Sequence, residues 1–423
     1  MTWIRKSWFW LAGVLAVAAI VGMACGDDDS GATKTPGVLK TDVGVSATEI
    51  TLGTTIVQSG SLAAAYQPVV PTMQAYFAKV NAEDKGVCGR TIVLKAEDDQ
   101  YSPALGLEKA KKLIEQDKVL ALVGNLGTAA VTGQVAYVNE QKVPMLYVST
   151  GASKWGDYAT YPYTIGYIPD YTSEGKILGQ YFKDHFAGKK VAVLYQNDDF
   201  GKNGRDGFKQ TFGAFAAEQS YEATATDINS QLANLKSANP DVLYLYSTPA
   251  FTAKAFAYMK ANAWKPQVVE SYVNSATTLA SLVGGGTDAA KIQAGFQAIA
   301  GTISTNYILD PIADAANPAM VEHKRIMEKY SGPPLGSLSV YAQSLAELMV
   351  KTLQVACTNN DMTRQGVLTA AESIKGFRAS LLLAGIQVDL SATDHFALQA
   401  LMPVEIQATG VLKALADKPI AAQ

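Results

Sequence analysis

Apolar and polar residues follow two alternating patterns along this chain from Ile50 onward. Short apolar, β-branched segments such as ITLGTTIV, TIVLKAEDD and VLALVG are each followed by a longer stretch in which apolar residues recur at helical spacing. The first pattern predicts strands and the second predicts helices. Because strands that alternate with helices form parallel sheets with helices on both faces, the chain is predicted to have an α/β fold.

A second series of the same kind begins near Tyr171. It runs through EGKILGQYFKDHF, KVAVLYQ, GRDGFKQTFGAFAAE, YEATATD, NSQLANLKSA, DVLYLYS, PAFTAKAFAYMKANA and QVVESY. Two series in one chain of 423 residues predict two doubly wound parallel-sheet lobes. Beyond residue 306 the pattern becomes mainly helical, and FALQALMPVEIQ then predicts an extended segment.

Polar residues cluster where the predicted strands end. They include Asp98, Asp99, Asn125, Ser149, Thr150, Asn197, Asp198, Ser247 and Thr248. In open parallel sheets, ligands bind outside the carboxyl ends of the strands. The sequence therefore predicts a binding site in the cleft between the two lobes.

The stretch VGNLGTAAVTGQV predicts a strand, a turn and a helix that begins near Thr128. The Thr128 hydroxyl is a suitable N-cap, and the free amides at a helix N-terminus can also bind a carboxylate or a phosphate. Two interpretations are therefore open from the residues alone: Thr128 only caps its helix, or it contacts a ligand.

The first 46 residues differ in composition from the rest. Arg5 and Lys6 precede the apolar run WFWLAGVLAVAAIVGMA, which ends in small residues at Cys25. This pattern is typical of a signal peptide over residues 1–24 and less so of a retained membrane anchor. It resembles a bacterial lipoprotein signal, although Gly22 stands where a leucine is usual, and predicts a lipid on Cys25. Residues 25–46 are then predicted to form a flexible tether outside the cytoplasmic membrane.

Composition and motifs argue against several functions. The net charge of −3, with 17% charged residues, gives no basic patch for nucleic acid. The three histidines lack zinc-ligand spacing, and the chain has no nucleophile elbow, P-loop or dinucleotide motif. We therefore expect no enzyme activity, no metal and no cofactor. Cys88 and Cys357 are an even pair in an oxidising compartment, which favours a disulfide over two free thiols.

Four stretches together carry a resemblance to a known family: VLALVGNLGTAAV, VPMLYVSTGAS, KKVAVLYQNDDFGKNG and MTRQGVLTAAESI. With these the chain resembles the branched-chain amino acid binding proteins of ABC importers, the Leu/Ile/Val-binding group of type I periplasmic binding proteins. The resemblance implies two lobes joined by three crossover segments, placed here at residues 164–170, 302–306 and 396–401. Lobe 1 would then comprise residues 47–166 and 305–395, and lobe 2 residues 167–304 and 396–423.

The resemblance also implies how a ligand carboxylate is held. Hydroxyls at the positions of Thr128 and Ser153 bind it in the family, assisted by backbone groups near Gly151 and Ala152. Both hydroxyls are kept in this sequence. The resemblance therefore favours ligand contact over simple capping for Thr128.

Aromatic side chains line the family's pocket. Phe200 stands where a tyrosine commonly packs on the ligand, and Tyr66 lies within a residue of another aromatic position. For Tyr66 the alternative is a residue at a helix start that packs within its own lobe. Thr248 replaces a further family tyrosine and would open space on that side.

One departure bears on the ligand's amine. Aligned without a gap from Lys265, Tyr272 replaces the glutamate that binds the ligand ammonium in the family. A phenol cannot neutralise a buried ammonium, so this alignment predicts that standard α-amino acids are poor ligands. A slip of two residues instead places Glu270 at that position and restores amino acid binding.

We therefore predict a solute-binding lipoprotein of an ABC importer, outside the cytoplasm and anchored to the membrane by lipid. Its ligand would be a small carboxylate-bearing molecule, either a branched-chain amino acid or a related organic acid. Its partner would be a membrane permease, and we expect a monomer that does not bind nucleic acid. A sensory protein that reports ligand to a membrane receptor is the alternative, and gene neighbours would separate the two.

Overall fold

The computed structural model describes residues 38–60 and 62–421. The strands are β1 Lys40–Thr41, β2 Glu49–Ile56, β3 Thr91–Asp98, β4 Ala121–Val123, β5 Met145–Val148, β6 Thr164–Gly166, β7 Val191–Gln196, β8 Ala217–Tyr221, β9 Val242–Tyr246, β10 Gln267–Glu270, β11 Ile303–Asn306, β12 Asp361–Met362, β13 Ala400–Ile406, β14 Leu412–Ala414 and β15 Ile420–Ala421. The predicted signal peptide and Cys25 lie outside the described residues.

The helices alternate with the strands as the sequence pattern predicts. They are α1 Ala63–Tyr66, α2 Val69–Glu83, α3 Pro103–Lys111, α4 Thr128–Glu140, α5 Tyr171–His185, α6 Asp199–Phe212, α7 Asn229–Ser237, α8 Pro249–Ala261, α9 Ala276–Gly284, α10 Ala289–Ile299, α11 Pro318–Lys329, α12 Ser337–Thr358 and α13 Arg364–Glu372. A π-helical turn, Lys112–Gln116, continues α3, and a 3₁₀ turn, Ser153–Gly156, follows β5. Along residues 38–60 and 62–421, no helix has the length and apolar character needed to cross a membrane.

Two sheets organise the chain, and we use them to define the lobes. In lobe 1 the strands are parallel in the order β3-β2-β4-β5-β6. In lobe 2 they are parallel in the matching order β8-β7-β9-β10-β11, which antiparallel β13, β14 and β15 extend. Every residue of β4, β5 and β9 is buried, as expected for strands covered on both faces. The prediction of two doubly wound lobes is confirmed.

The order of the strands in each sheet indicates where a ligand site lies. It reverses between β2 and β4 in lobe 1 and between β7 and β9 in lobe 2. Loops that leave neighbouring strands at such a reversal diverge and open a crevice at the carboxyl ends. The helices that follow these strands, α1 and α4 in lobe 1 and α6 and α8 in lobe 2, therefore lie at the crevice.

The chain passes between the two sheets three times: after β6, after β11 and before β13. The first and third passages are hydrogen bonded, because Gly166 N donates to His395 O at 2.8 Å and Ala397 N donates to Gly166 O at 3.0 Å. These passages agree with the three crossovers that the resemblance implies. The residue bounds given above for the lobes stay a prediction.

Two local details differ from the sequence-based expectations. The strand expected at YEATATD lies earlier, at Ala217–Tyr221, because Gly213 at φ 115° ends α6 sooner than the pattern indicates. The last residues of the expected tether include β1, which pairs in parallel with β12. The chain is therefore attached to lobe 1 ahead of β2.

A disulfide joins Cys88 and Cys357, whose Cα atoms lie 5.9 Å apart. Cys88 precedes β3, and Cys357 lies in the last turn of α12, which packs on α2 and β5 of lobe 1. The predicted pairing is therefore present and links the start of lobe 1 to a helix that returns to it late in the chain.

Candidate functional site

A cavity lies at the crevice, where the two lobes face each other. Its volume is about 90 Å³. Polar groups on its wall are Tyr66, Tyr101, Thr128, Ser149, Tyr171, Thr248, Glu270, Tyr272, Asn274, Ser275, Ser304, Thr305, Asn306, Tyr307, Ser337 and Tyr341. Leu126, Ile168, Phe200, Val273, Ile308, Leu338, Val404, Ile406 and Leu412 supply most of the apolar wall. An apolar wall with polar groups placed on it is typical of a site for a small organic ligand.

Several residues predicted from the resemblance lie on this wall. Thr128 begins α4 after β4, Phe200 lies in the first turn of α6 after β7, and Thr248 precedes α8 after β9. The reversal of strand order brings these three positions together. Tyr66 and Tyr272 also line the cavity, so Tyr66 does more than pack within its own lobe.

The start of α4 differs from the expected capping arrangement. The N-cap is Gly127, at φ 96°, and Thr128 is the first helical residue. A Cβ at Gly127 would lie 2.4 Å from Tyr101 Cε2, so only glycine fits there. Thr128 therefore does not cap α4, which excludes the simple-capping alternative. Its hydroxyl is instead 2.6 Å from that of Thr150.

The other groups expected to bind a ligand carboxylate make hydrogen bonds within the protein. Ser153 Oγ is hydrogen bonded to Thr172 Oγ1 at 2.8 Å, and Ser153 N donates to Asn203 Oδ1 at 3.1 Å. Gly151 O accepts a hydrogen bond from Tyr171 N at 2.8 Å. Among the residues described, Gly151, Ala152 and Ser153 are absent from the cavity wall, where Thr128 is present. We call these four residues the Thr128 side of the site.

Tyr171, which the sequence reasoning took only as the start of a series, reaches the Thr128 side. Its backbone N–H donates to the Gly151 carbonyl, and its side chain lines the cavity together with that of Thr128. Burial raises the pKa of the Tyr171 hydroxyl above its usual value. The sequence gives no signal for this contact, because it depends on how the first crossover directs α5 toward β5.

The opposite wall carries polar groups of another kind. Glu270, the last residue of β10, is fully buried, and neither carboxyl oxygen has a hydrogen-bond partner among the described residues. The Asn274 amide, 2% exposed, also lacks partners for both its oxygen and its nitrogen within that part of the chain. We call Glu270 and Asn274 the Glu270 side. Asn274 was missed from the sequence, although it too follows the end of a predicted strand.

A second buried carboxyl, Glu174 on α5, lies close enough to influence Glu270. Burial and the Glu174 charge together raise the pKa of Glu270 well above its usual value. Because buried polar groups are normally paired, an unpaired carboxyl and an unpaired amide on one cavity wall indicate a place for ligand hydrogen bonds.

Glu174 itself is fully paired. Its carboxylate accepts hydrogen bonds from Tyr272 N at 2.7 Å, Thr305 Oγ1 at 2.7 Å, Tyr246 Oη at 2.6 Å and Ser271 Oγ at 2.7 Å. Burial raises the pKa of Glu174 to about 7, and the four donors oppose that rise. Glu174 therefore ties α5 to three neighbouring segments of lobe 2.

Tyr272 lines the cavity, but its hydroxyl already makes a hydrogen bond within the protein. Its hydroxyl donates to the carbonyl oxygen of Pro169, in the first crossover. The cavity wall, in the part of the chain described, carries no lysine, arginine or histidine. Glu270 is thus the one carboxyl side chain on that wall, and no cluster of possible metal ligands occurs among the described residues.

A sequence profile described as "Periplasmic binding protein" matches residues 49–411. The chain therefore belongs to the periplasmic binding protein family, which confirms the resemblance. Members of this family bind solutes outside the cytoplasm and are not enzymes, which agrees with the expected class and location.

Named relatives give a more detailed comparison. The Leu/Ile/Val-binding protein homolog 1 of Brucella abortus is 26% identical over 278 residues, which cover 62% of this chain and 68% of the relative. A fatty acid ABC transporter substrate-binding protein from Thermomonospora curvata has a TM-score of 0.75 at 22% identity, over 91% of this chain and 95% of that one. A branched-chain amino acid ABC transporter protein from Thermus thermophilus, with bound valine, has a TM-score of 0.76 at 18% identity, over 88% and 96%. The two structures share the fold.

Proposed function

We propose that this protein is the solute-binding component of an ABC importer and delivers a small ligand to a membrane permease. The ligand is an amino acid or a related carboxylate-bearing molecule, held in the cavity between the lobes. Two similar structures are of binding proteins described for valine and for fatty acids, so relatives of this fold include binders with and without an amine on the ligand.

The unpaired carboxyl of Glu270 is the observation that carries the choice of ligand. A buried carboxylate without a partner is unfavourable, and a ligand ammonium would supply both the counter-charge and the hydrogen bonds. Asn274, on the same cavity wall, can accept and donate further hydrogen bonds. We therefore propose that the ligand carries an amine and that Glu270 is its counter-ion.

Tyr272 is the competing candidate that the gapless alignment suggests. Its hydroxyl already donates to the Pro169 carbonyl, so its proton is not available to a ligand. Glu270, the last residue of β10, has two carboxyl oxygens without a partner in the described residues, and Tyr272 follows it by two residues. This contrast supports Glu270 over Tyr272 and, with it, amine-bearing ligands over amine-free acids.

Isothermal titration of residues 26–423 tests the proposal. The probes are L-leucine, L-valine and the matching amine-free acids, 4-methylpentanoate and 3-methylbutanoate. We expect an amino acid to bind more tightly than its amine-free partner. We expect Glu270→Gln to weaken that binding at least 100-fold, since breaking a buried ion pair costs about 3–5 kcal/mol.

Glu347→Gln is the matched control for this experiment. Glu347 is also buried, but its carboxylate accepts hydrogen bonds from Gln343 and Ser380 within lobe 1 and is not on the cavity wall. Its replacement should leave ligand affinity unchanged. Tighter binding of the amine-free acids, or unchanged affinity in Glu270→Gln, would contradict the proposal and favour the Tyr272 alternative.

The lipid anchor and the permease are further parts of the proposal. They rest on the signal-like residues before Cys25 and on the ABC transporter proteins among the similar structures. Replacing Cys25 with serine in the full chain should move the protein from the membrane fraction to the soluble fraction. The lipidated protein with bound ligand should stimulate ATP hydrolysis by its reconstituted transporter. Light scattering should show that the protein is a monomer.

A further inference from the structure

The cavity wall continues past Glu270 along one face of the lobe 2 sheet. Val269 of β10 pairs with Ile303 of β11, so the next residues, Glu270 and Ser304, lie side by side on the opposite face from that pair. Ser304 pairs in turn with Val404 of β13. Because paired residues point to the same face of a sheet, Glu270, Ser304 and Val404 form one row. All three line the cavity.

Two more residues extend this row into an apolar surface. Ile406 lies two residues beyond Val404 on β13 and therefore shares its face, and Leu412 of β14 pairs with Ile406. These three side chains all line the cavity, and we call them the apolar branch. Neighbouring strands lie about 4.8 Å apart, so the wall extends over about 14 Å from β10 across β11 and β13 to β14.

The apolar branch is a fixed part of the protein. Val404 and Ile406 are buried in the sheet. At the far end, Leu412 N donates to Asp310 Oδ2 at 2.7 Å, and Asp310 Oδ1 accepts a hydrogen bond from Ile312 N at 2.8 Å. Since the contact of Leu412 with Asp310 is made by its backbone, the Leu412 side chain can be shortened without breaking it.

We propose that the apolar branch binds the aliphatic side chain of the ligand and sets its length. This inference rests on the proposed function, because the ligand amine is then bonded to Glu270 beside the branch. An aliphatic group on the carbon that carries the amine runs along the sheet past Ser304, away from Thr128 in lobe 1. A polar side chain would lose its water there against an apolar surface, which is unfavourable. The ligand class is therefore aliphatic amino acids.

The δ1 methyl group of Ile406 reports directly on occupation of the branch. Protein labelled with 13C at the isoleucine δ1 methyl groups is titrated with L-leucine, 4-methylpentanoate and 3-methylbutan-1-ol and followed by NMR. The alcohol has neither a carboxylate nor an amine, so it tests the branch apart from the Glu270 contact. We expect a saturable shift of the Ile406 signal with L-leucine and with the alcohol.

Ile303 is the internal control for this titration. It precedes Ser304 on β11, points to the other face of the sheet and is not on the cavity wall. Its δ1 methyl signal should not shift with any of the three probes. A shift of Ile303 equal to that of Ile406 would show a general change in the protein and would overturn the proposal.

Leu412→Ala tests whether the branch sets the length of the ligand. Calorimetric titration gives the ratio of L-2-aminoheptanoate affinity to L-leucine affinity, and of heptanoate affinity to 4-methylpentanoate affinity. Shortening Leu412 opens the far end to the longer chain, so we expect the ratio to rise about fourfold for each additional methylene that is buried. Leu415→Ala is the matched control, because Leu415 directly follows β14 but is not on this cavity wall. It should leave both ratios unchanged.

The outcomes separate this proposal from the proposed function. No shift of Ile406 with any of the three probes would overturn the branch, and so would unchanged ratios in Leu412→Ala. If 4-methylpentanoate or the alcohol shifts Ile406 while L-leucine binds no more tightly than its amine-free acid, the amine contact of the proposed function is wrong and the branch is supported.

Discussion

The two walls of the cavity differ in what their polar groups do within the protein. On the Thr128 side, the Ser153 hydroxyl and N–H are bonded to Thr172 and Asn203, and the Thr128 hydroxyl is bonded to that of Thr150. On the Glu270 side, the carboxyl and the Asn274 amide have no partners in the described chain. A match of residue type therefore locates the site but does not identify the contacts. The unpaired buried groups indicate where ligand hydrogen bonds are needed.

Two buried glutamates in lobe 2 show the same contrast at close range. Glu174 accepts four hydrogen bonds from its own lobe, and Glu270 accepts none from the residues described. Both are fully buried, and burial raises the pKa of each. Burial alone therefore does not separate a structural carboxyl from one that binds a ligand. The two are separated by whether the protein itself supplies hydrogen-bond donors to the carboxyl.

Replacing each glutamate with alanine should give the largest difference between them. Glu174→Ala leaves the Tyr272 N–H and three hydroxyls without their acceptor, and we expect the free energy of unfolding to fall by about 2–5 kcal/mol. Glu270→Ala removes no hydrogen bond and should change it by less than about 1 kcal/mol. Urea unfolding at pH 8 measures both. A larger loss for Glu270→Ala would show that Glu270 has a structural role and contradict the comparison.

The fold followed from the sequence because it depends on patterns that are local. Buried strands such as VLALVG and helices such as SLSVYAQSLAELMVKTLQVACT carry their periodicity in a few residues. The crossovers, the disulfide and a few wall residues, among them Thr128, Phe200 and Tyr272, then followed from the family resemblance. The contacts of Tyr171 and Glu174 did not, because each depends on how α5 packs on several distant segments. No window of sequence contains that information.

Thr128 is the donor on its side that still reaches the cavity, and its removal tests whether that side contributes at all. Thr128→Val keeps the shape but removes the hydroxyl. We expect it to weaken binding by about 1.5–3 kcal/mol, the range for a hydrogen bond to a charged group, or near the lower end for a neutral oxygen. Titration with the tightest ligand of the panel measures it. Unchanged affinity would mean that the Glu270 side alone holds the ligand's polar groups.

The pH dependence of ligand affinity tests whether the Glu270 carboxylate binds an ammonium group. The raised pKa of Glu270 keeps part of the free protein protonated above the usual range for a glutamate, whereas an ammonium ligand requires the carboxylate. Binding should therefore release a proton, and affinity should rise with pH by up to about tenfold, or 1.4 kcal/mol, per unit. The rise ends once pH passes the pKa of Glu270 in the free protein. Titrations in buffers of different ionisation enthalpy count the proton, and affinity that falls with rising pH would contradict this role.

Replacing Ser153 should have the smallest effect on ligand affinity. The resemblance and the structure predict different losses for this replacement, so the experiment decides between them. The resemblance predicts that its hydroxyl binds the ligand, and a loss like that of Thr128→Val would then follow its replacement. In the structure that hydroxyl bonds to Thr172 and lies off the cavity wall. We therefore expect Ser153→Ala to lower ligand affinity by less than about 1 kcal/mol, the scale of one neutral hydrogen bond.

Thr172→Val removes the same bond from lobe 2 and is the matched control. If the two variants have equal small effects, the bond only joins the lobes. If Ser153→Ala alone loses 1.5–3 kcal/mol, the Ser153 hydroxyl leaves Thr172 for the ligand, and the Thr128 side binds a carboxylate after all.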